Sequence, residues 1–348
     1  MKVLHVLNSR EFTGAEQVVA MIVRLFRGDA EMFYCSPYSD NVRDMLKQEG
    51  MTFLPVDTLV PSQLKKVIAK VQPDVIHAHD MRASLMAALC CGNIPVINHI
   101  HNNAFDARGL SVKSLAYILA AIRAKHILWV SRSSYEGYLF HKLFAKKSSV
   151  LYNIIDVNKV LEKSKLDGAS YDYDAIYIGR LTYQKDPQRL MRLCRILADR
   201  KPDIRIAVVG SGELEEETKA LCRALKLEDN VFFLGFQSNP MKMLKCAKVM
   251  LLTSRWEGTP MCALEAMALG VPVVSTPTDG MVDLIGEGED GFLSDDDAVL
   301  AERVLRIVTD DDLHRKLSGN AAAKSQRIND AASYKEAIAV HYRNYVRG

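Results

Sequence analysis

The sequence predicts an α/β protein built from two doubly wound parallel-sheet domains. Three observations predict it. Short apolar strand-like runs alternate with stretches of helical period from end to end, the pattern of parallel strands covered by helices on both faces. The alternation breaks once, over "EKSKLDGASYDY" (Glu162–Tyr173), a polar stretch with neither period. A chain of 348 residues also exceeds what a single hydrophobic core commonly serves.

In the first half, strands are expected at Val3–Leu7, Met32–Ser36, Thr52–Val56, Val75–His79, Val96–His101, Ile127–Ser131 and Ser149–Tyr152. Helical period between them places helices at Ala15–Phe26 and Leu64–Val71, among others. In the second half, strands are expected at Ala175–Gly179, Arg205–Val209, Val231–Leu234, Val249–Thr253, Val271–Ser275 and Gly291–Leu293, with helices at Pro187–Arg200, Leu214–Leu225 and Pro260–Leu269. A last helix, Ala331–Val346, has no strand after it. The expected domains are therefore residues 1–165 and 172–330, with the C-terminal helix 331–348 crossing back to the first. Ligands of such sheets bind beyond the carboxyl ends of the strands, so functional residues are expected just after strands, at a cleft between the domains.

Composition narrows the class. With 49% hydrophobic and 25% charged residues the chain reads as an ordinary globular protein. No apolar run reaches a membrane span, and the N-terminus "MKVLHVLNSR" reads as a strand and not as a signal peptide. The seven scattered cysteines form no Cys-x-x-Cys pair, so they are expected to be buried thiols of a reducing cytosol. Net charge is +3, but residues 1–150 carry 18 basic and 12 acidic side chains. Between Arg108 and Lys147 stand eight basic residues and one acid, interleaved with Leu115, Tyr117, Ile118, Trp129, Tyr138, Phe140 and Phe144. This segment, 108–147, has two readings: a peripheral contact with an anionic membrane, or a solvated helix face with its apolar side turned inward. Nothing in the charge pattern suggests a nucleic-acid partner.

The densest chemistry lies in "SRWEGTPMCALEAMALGVPVVS", Ser254 to Ser275. A strand ends, Gly258 and Thr259 turn, and Thr259 and Pro260 fit the cap and first position of a helix that begins at Pro260. The N–H groups at such a helix start favour a phosphate. Glu257 precedes that start and Glu265 follows it by about five residues, roughly 8 Å along the axis. Carboxylates beside a diphosphate need other partners, and sugar diols supply them. Glu257 is thus expected to grip a donor sugar and Glu265 a ribose. The plainer reading is a cap-region acid and an exposed helix residue, but Glu265 stands among Met261, Ala263, Leu264, Ala266, Met267 and Leu269.

Glu-x7-Glu in "WEGTPMCALEAMALGVPVV" resembles the signature of the retaining nucleotide-sugar glycosyltransferases of family 4 (glycosyl transferases group 1). The resemblance covers most of the chain: "YIGRLTYQKDPQRL", "VVGSGELEEE" and "DGFL" in the second half, "GAEQVV", "PDVIHAHD" and "SVLYNIID" in the first. It implies the GT-B fold, two Rossmann-like domains facing a cleft. It implies that Arg180 and Lys185 bind the diphosphate and stabilise the leaving group, each charge-assisted contact being worth about 1.5–3 kcal/mol; their plainer reading is surface charge. It places His101 near the 6-position of the donor sugar, against the reading of a packed strand-end histidine. Gly14, Gly179 and Gly210 would let backbone approach the donor, with Gly258, Thr259, Pro260 and Met261 around the phosphates and Phe236 and Gln237 at the base. The chain departs from the family pattern at Thr13, where a second glycine is usual, and at Ile154 in "NIID".

Three other patterns point elsewhere. "GSGELEE" (Gly210, Gly212) is an incomplete dinucleotide fingerprint, with Glu215 at the third glycine position. His77, His79 and Asp80, with His99 and His101, suggest a metal, yet the sequence places no further ligand. Asp295-Asp296-Asp297 precedes the helix Ala298–Val308 and reads as its cap. No metal, cation requirement or cofactor is expected. The function implied is transfer of a sugar from a nucleoside-diphosphate donor, UDP favoured, to a hydroxyl of a glycan or lipid-linked acceptor. The setting would be bacterial capsule, exopolysaccharide or lipopolysaccharide synthesis, in the cytoplasm or at the inner membrane face. A sugar-nucleotide epimerase of the same fold and a non-catalytic nucleotide-binding partner are the rival readings.

Overall fold

The computed structural model describes residues 1–11, 14–101, 107–166 and 168–345. The chain divides into two compact units, residues 1–154 with 330–348, and residues 155–329.

The first unit is built on β1 (Lys2–Val6), β2 (Glu31–Cys35), β3 (Thr52–Phe53), β4 (Val75–Ala78), β5 (Val96–Ile100), β6 (His126–Trp129) and β7 (Ser148–Val150). They form one seven-stranded sheet in the order β3-β2-β1-β4-β5-β6-β7, with every pair parallel. Side chains alternate across it. Leu4, Val6, Ile76 and Ala78 pack with Leu64, Ala83 and Ala87 of the helices Pro61–Val71 and Met81–Cys90. On the other face His5 of β1 pairs in register with His77 of β4, and these rings are buried with His79 and His99.

The second unit holds β8 (Ala175–Ile178), β9 (Ile206–Val209), β10 (Val231–Gly235), β11 (Val249–Leu252), β12 (Val273–Ser275) and β13 (Gly291–Leu293). Its six strands run β10-β9-β8-β11-β12-β13, again all parallel. In each sheet the strand order reverses once, between β1 and β4 and between β8 and β11. Those are the topological switch points at which ligands of open α/β sheets bind.

The thirteen expected strands are all present, within a few residues of their expected ends. The division between units is not where the polar stretch Glu162–Tyr173 suggested. It falls at Ile154/Ile155, because Ile155, Val157 and Val160 pack into the second core with Met241, Leu244 and Ala263. The helix Val157–Lys163 therefore belongs to the second unit and not to the first. The last helix, Ala331–Tyr345, belongs to the first unit: the Tyr342 hydroxyl lies 2.7 Å from His77 Nδ1, and Lys335 pairs with Asp29 at 2.5 Å. Of the seven free cysteines, Cys90, Cys246 and Cys262 are only partly buried. Asp296 caps the helix Asp297–Thr309, accepting from the Ala298 and Val299 amides, while Asp295 and Asp297 pair with Arg189 at 2.8 and 2.6 Å.

Burial pushes His5 and His101 down to about 3 and His77, His79 and His99 well below the ordinary histidine range. These rings stay neutral in the folded chain, while the unfolded chain takes up protons near pH 6.5. Stability of the first unit should be complete above that pH and fall as pH drops from about 6.5 toward about 3. The two tryptophans, Trp129 and Trp256, lie one in each unit. Thermal melts of Trp256→Phe followed by Trp129 fluorescence should show a melting temperature that declines from pH 7 to pH 5. A flat profile would show that the histidines are not held neutral.

Candidate functional site

At the switch point of the second sheet, the loop after β8 meets the loop after β11. Gly179 and the exposed Arg180 follow β8, a short 3₁₀ turn spans Tyr183–Lys185, and Asp186 begins the helix Pro187–Arg200. Asp186 sits in the left-handed region, with φ 49°. That conformation costs a non-glycine residue on the order of 1 kcal/mol or more, and three contacts offset it. Its carboxylate accepts from the Arg189 amide, pairs with Arg255 at 2.9 Å, and its carbonyl accepts from Thr253 Oγ1 at 3.2 Å. The loops are laced further by Arg255 N–H to the Gln184 carbonyl and Gln184 Nε2 to the Trp256 carbonyl.

This lacing brings Lys185 onto Glu257. Lys185 Nζ donates to Glu257 Oε1, and Ser254 Oγ donates to the same oxygen at 2.5 Å. The side chains of Lys185 and Glu257 are only 13% and 6% exposed, so this is a buried ion pair. Burial works to lower the Lys185 pKa, but the Glu257 carboxylate outweighs it and holds the ammonium above its ordinary value. Thr276 Oγ1, just past β12, ties the Ser254 carbonyl at 2.7 Å.

The helix after this loop runs Met261–Ala268. Pro260 occupies the cap position, so the expected Thr259 cap is displaced by one residue; with φ −71° and ψ 120° Pro260 is extended and has no side chain able to close the helix. Ala263 and Leu264 N–H reach the Pro260 carbonyl, which leaves the Met261 and Cys262 amides without an intrahelical acceptor. Glu265 is half-buried. Burial raises its pKa to about 7, opposed by Lys163. Among the described residues Glu265 has no ion pair, and no side chain or amide donates to its carboxylate. Cys262 lies within the influence of Glu257 and Glu265, and burial above all pushes its thiol up to about 12.

Tight backbone packing fixes these loops. Gly210, at φ 131°, follows β9, and a Cβ there would lie 2.0 Å from the Gly179 carbonyl oxygen; one on Gly212 would lie 2.4 Å from that of Leu181. Both glycines of the incomplete fingerprint are thus required by loop packing. Phe236 follows β10 and is 72% exposed, and Gln237 Nε2 donates to the Leu234 carbonyl at 2.8 Å. Of the expected site residues, Arg180, Lys185, Gly179, Gly210, Phe236, Gln237, Glu257, Gly258, Thr259, Pro260, Met261 and Glu265 all lie in the second unit. Gly14 and His101 lie in the first. Gly14 opens the helix Gly14–Leu25; Thr13 lies outside the described residues. His101 directly follows β5, with its Nε2 3.0 Å from His79 Nδ1.

The family model for glycosyl transferases group 1 matches residues 161–324, and that for Glycosyltransferase Family 4 matches residues 14–159. The chain belongs to glycosyltransferase family 4. A curated relative, an uncharacterized glycosyltransferase of Methanocaldococcus jannaschii, is 28% identical over 62% of this chain, which spans 58% of the length of that relative. The UDP-Gal:alpha-D-GlcNAc-diphosphoundecaprenol alpha-1,3-galactosyltransferase of Escherichia coli is 27% identical over 75% of this chain and 73% of its own. Among solved structures, Anabaena Alr3699/HepE in complex with UDP-glucose superimposes with a TM-score of 0.87 at 21% identity, covering 99% of this chain and 100% of that one. The fold of this glycosyltransferase is GT-B.

Two contributors escaped the sequence reading. Ser254 has a signal, since Ser-x-x-Glu is the spacing of a capping box, but here the hydroxyl serves the Glu257 carboxylate directly. Gly280 is the second residue of the helix Asp279–Leu284, and a Cβ on it would lie 1.2 Å from the Gly258 carbonyl oxygen. Asp279-Gly280 reads in sequence only as a turn.

Removing one partner of a buried pair strands the other charge. Lys185→Met should destabilise the second unit by about 3 kcal/mol, and Lys185→Met combined with Glu257→Gln should cost clearly less than the two single changes added. A double-mutant cycle in urea checks this; additive losses would show that the two side chains are not coupled.

Proposed function

We propose that this glycosyltransferase moves a sugar, with retention, from a nucleoside-diphosphate donor held by the second unit to a hydroxyl of a lipid-linked saccharide. The observation that carries the reading is Glu265: a half-buried carboxylate with no protein hydrogen-bond donor, standing on a helix whose first amides lack an intrahelical acceptor, next to the Lys185–Glu257 pair. A ribose diol suits Glu265, and the diphosphate suits the Met261 and Cys262 amides, with Arg180 and Lys185 as cations. Gly179, Gly210, Gly258, Thr259 and Pro260 shape the backbone around it. Phe236 and Gln237 stand at the strand end where the base would stack. Both protein contacts to Glu257 fall on Oε1, which leaves Oε2 to accept from the donor sugar. UDP is the favoured nucleotide, in keeping with the UDP-glucose complex of the Anabaena protein and the UDP-galactose donor in the name of the Escherichia coli relative.

In this reading the bond from the anomeric carbon to the diphosphate breaks, and its electron pair leaves with the phosphate. The acceptor oxygen attacks from the same face, and its proton passes to the departing phosphate oxygen. The protein contributes position and charge stabilisation. His101 and Gly14, both in the first unit, are assigned to the donor by the family resemblance alone.

The acceptor side is supported by the helix Val112–Arg123. It buries Ser114, Tyr117, Ala120 and Ala121 and exposes Val112, Leu115, Leu119 and Ile122, with Lys113 and Arg123 alongside. Leu110, Leu139 and Leu143 are exposed as well. A solvated helix keeps the opposite arrangement; an apolar stripe flanked by cations suits an anionic membrane surface. No described helix is long and apolar enough to cross a membrane, so the contact proposed is peripheral, on the cytoplasmic face.

Transfer from UDP-glucose, UDP-galactose and their N-acetyl forms to an undecaprenyl-diphosphate saccharide, followed by stoichiometric UDP release and the anomeric configuration of the product, tests the reading. Product with an inverted anomeric centre, or sugar interconversion without UDP release, would overturn it. Because a diol is best held by the ionised carboxylate, affinity for UDP measured by calorimetry should strengthen as pH rises through about 7. Glu265→Gln should bind more weakly and lose most of that dependence. Flotation with vesicles should recover the protein with phosphatidylglycerol but not with phosphatidylcholine alone, and Leu115→Glu with Leu119→Glu should abolish recovery.

A further inference from the structure

Three imidazoles stand end to end across the first sheet. His5 Nδ1 lies 2.9 Å from His79 Nε2, and His79 Nδ1 lies 3.0 Å from His101 Nε2. The ring centres are 5.1 and 5.3 Å apart, so in each pair the nitrogens point at one another, as an N–H···N hydrogen bond requires. The side chains come from β1, from the residue after β4 and from the residue after β5, and they run from the buried sheet face to the carboxyl edge of the sheet. Nitrogens of His5, His77 and His79, and of His79, His99 and His101, do gather within 4.8 Å, but those joining His5 to His79 and His79 to His101 are turned on each other. A parallel sheet covered on both faces favours apolar side chains at such positions, and burying imidazoles here is costly, as the depressed pKa values record.

Each neutral imidazole carries one ring proton. Three rings hold three protons, and the two internal hydrogen bonds use two. The third sits at one end, on His5 Nε2 or on His101 Nδ1, and among the described residues neither atom has a hydrogen-bond partner. The choice is all or none, because reversing one hydrogen bond forces the next ring to change tautomer. His5 Nε2 lies in the core, where a buried N–H without an acceptor is rarer than a bare acceptor. His101 Nδ1 lies at the carboxyl edge, where ligand oxygens arrive.

We propose that His5 and His79 are positioning residues: through this chain they fix His101 as the Nδ1–H tautomer, a neutral hydrogen-bond donor toward an oxygen of the bound sugar nucleotide. The identity of that oxygen rests on the donor-site reading above; the tautomer does not. The proton then stays on His101, which orients the ligand without transferring charge to it. His5, which reaches no ligand, sets the polarity of the contact two residues along the chain.

Long-range ¹H–¹⁵N spectra of the full-length ¹⁵N-labelled protein at pH 7.5, assigned with single histidine variants, report each tautomer directly. All three rings should be neutral and protonated on Nδ1. An Nε2–H tautomer at any of them, a His101 that titrates near pH 6.5, or a stoichiometric transition metal found by elemental analysis would overturn the proposal. His5→Phe should leave His101 a mixture of tautomers and raise KM for the sugar nucleotide about three- to tenfold, the worth of one neutral hydrogen bond. His5→Gln, whose amide can donate to His79, should restore both. If His5 only packs, both variants lower Tm while the His101 signals stay as in the parent, and the proposal fails. If the tautomers are as stated but His101→Gln transfers sugar at the parent rate, the chain stands and the donor-site role of His101 falls.

Discussion

The buried Lys185–Glu257 ion pair is the constraint around which the second unit is arranged. An ammonium and a carboxylate shielded from water are tolerable only when each satisfies the other and the remaining valences are met. That demand explains features which otherwise look unconnected. Asp186 accepts a left-handed conformation, Ser254 adds a second donor to one carboxylate oxygen, and three strand-end loops are tied through Thr253, Arg255 and Thr276. The pair also lies where the strand order reverses, the place at which open α/β sheets bind their ligands, so the same charges that must be neutralised in the resting protein are set beside it. A bound diphosphate would share Lys185 with Glu257 and would not meet an unopposed cation.

Much of this was legible in the sequence, and the limits have physical causes. The strands could be read because buried parallel strands are short apolar runs. Glu257 and Glu265 could be singled out because two acids flanking an otherwise apolar helix start need a reason to be there. The helix start itself lies one residue later than expected, since Pro260 is extended and fills the cap position instead of the first turn. The division between units was misplaced because polarity marks a flexible-looking stretch, whereas the boundary is set by packing, and Ile155, Val157 and Val160 carry too short a pattern to show which core they join. Ser254 and Gly280 act through contacts between segments far apart in the chain, which no local spacing encodes.

The histidines make the same point more sharply. His-x-His on one strand tells a reader that two rings share a face, and the sequence shows two such pairs. It does not tell which strand lies between which. Only the order β1-β4-β5, with His5 in register with His77, brings His79 between His5 and His101. The pairs suggest a cation site when read alone, while the assembled sheet turns the decisive nitrogens onto one another.

The contact of Gly280 with the Gly258 carbonyl bears on how such a protein can be altered. The turn that carries Glu257 rests on bare backbone from the segment beyond β12, with no side chain between them that could be lengthened, shortened or repolarised. The seat of the acidic turn is therefore close to invariant in shape, and variation in what the second unit accepts is left to exposed side chains that project from strand ends, such as Phe236. Efforts to redirect this scaffold toward other ligands have their freedom at those tips and almost none at the turn.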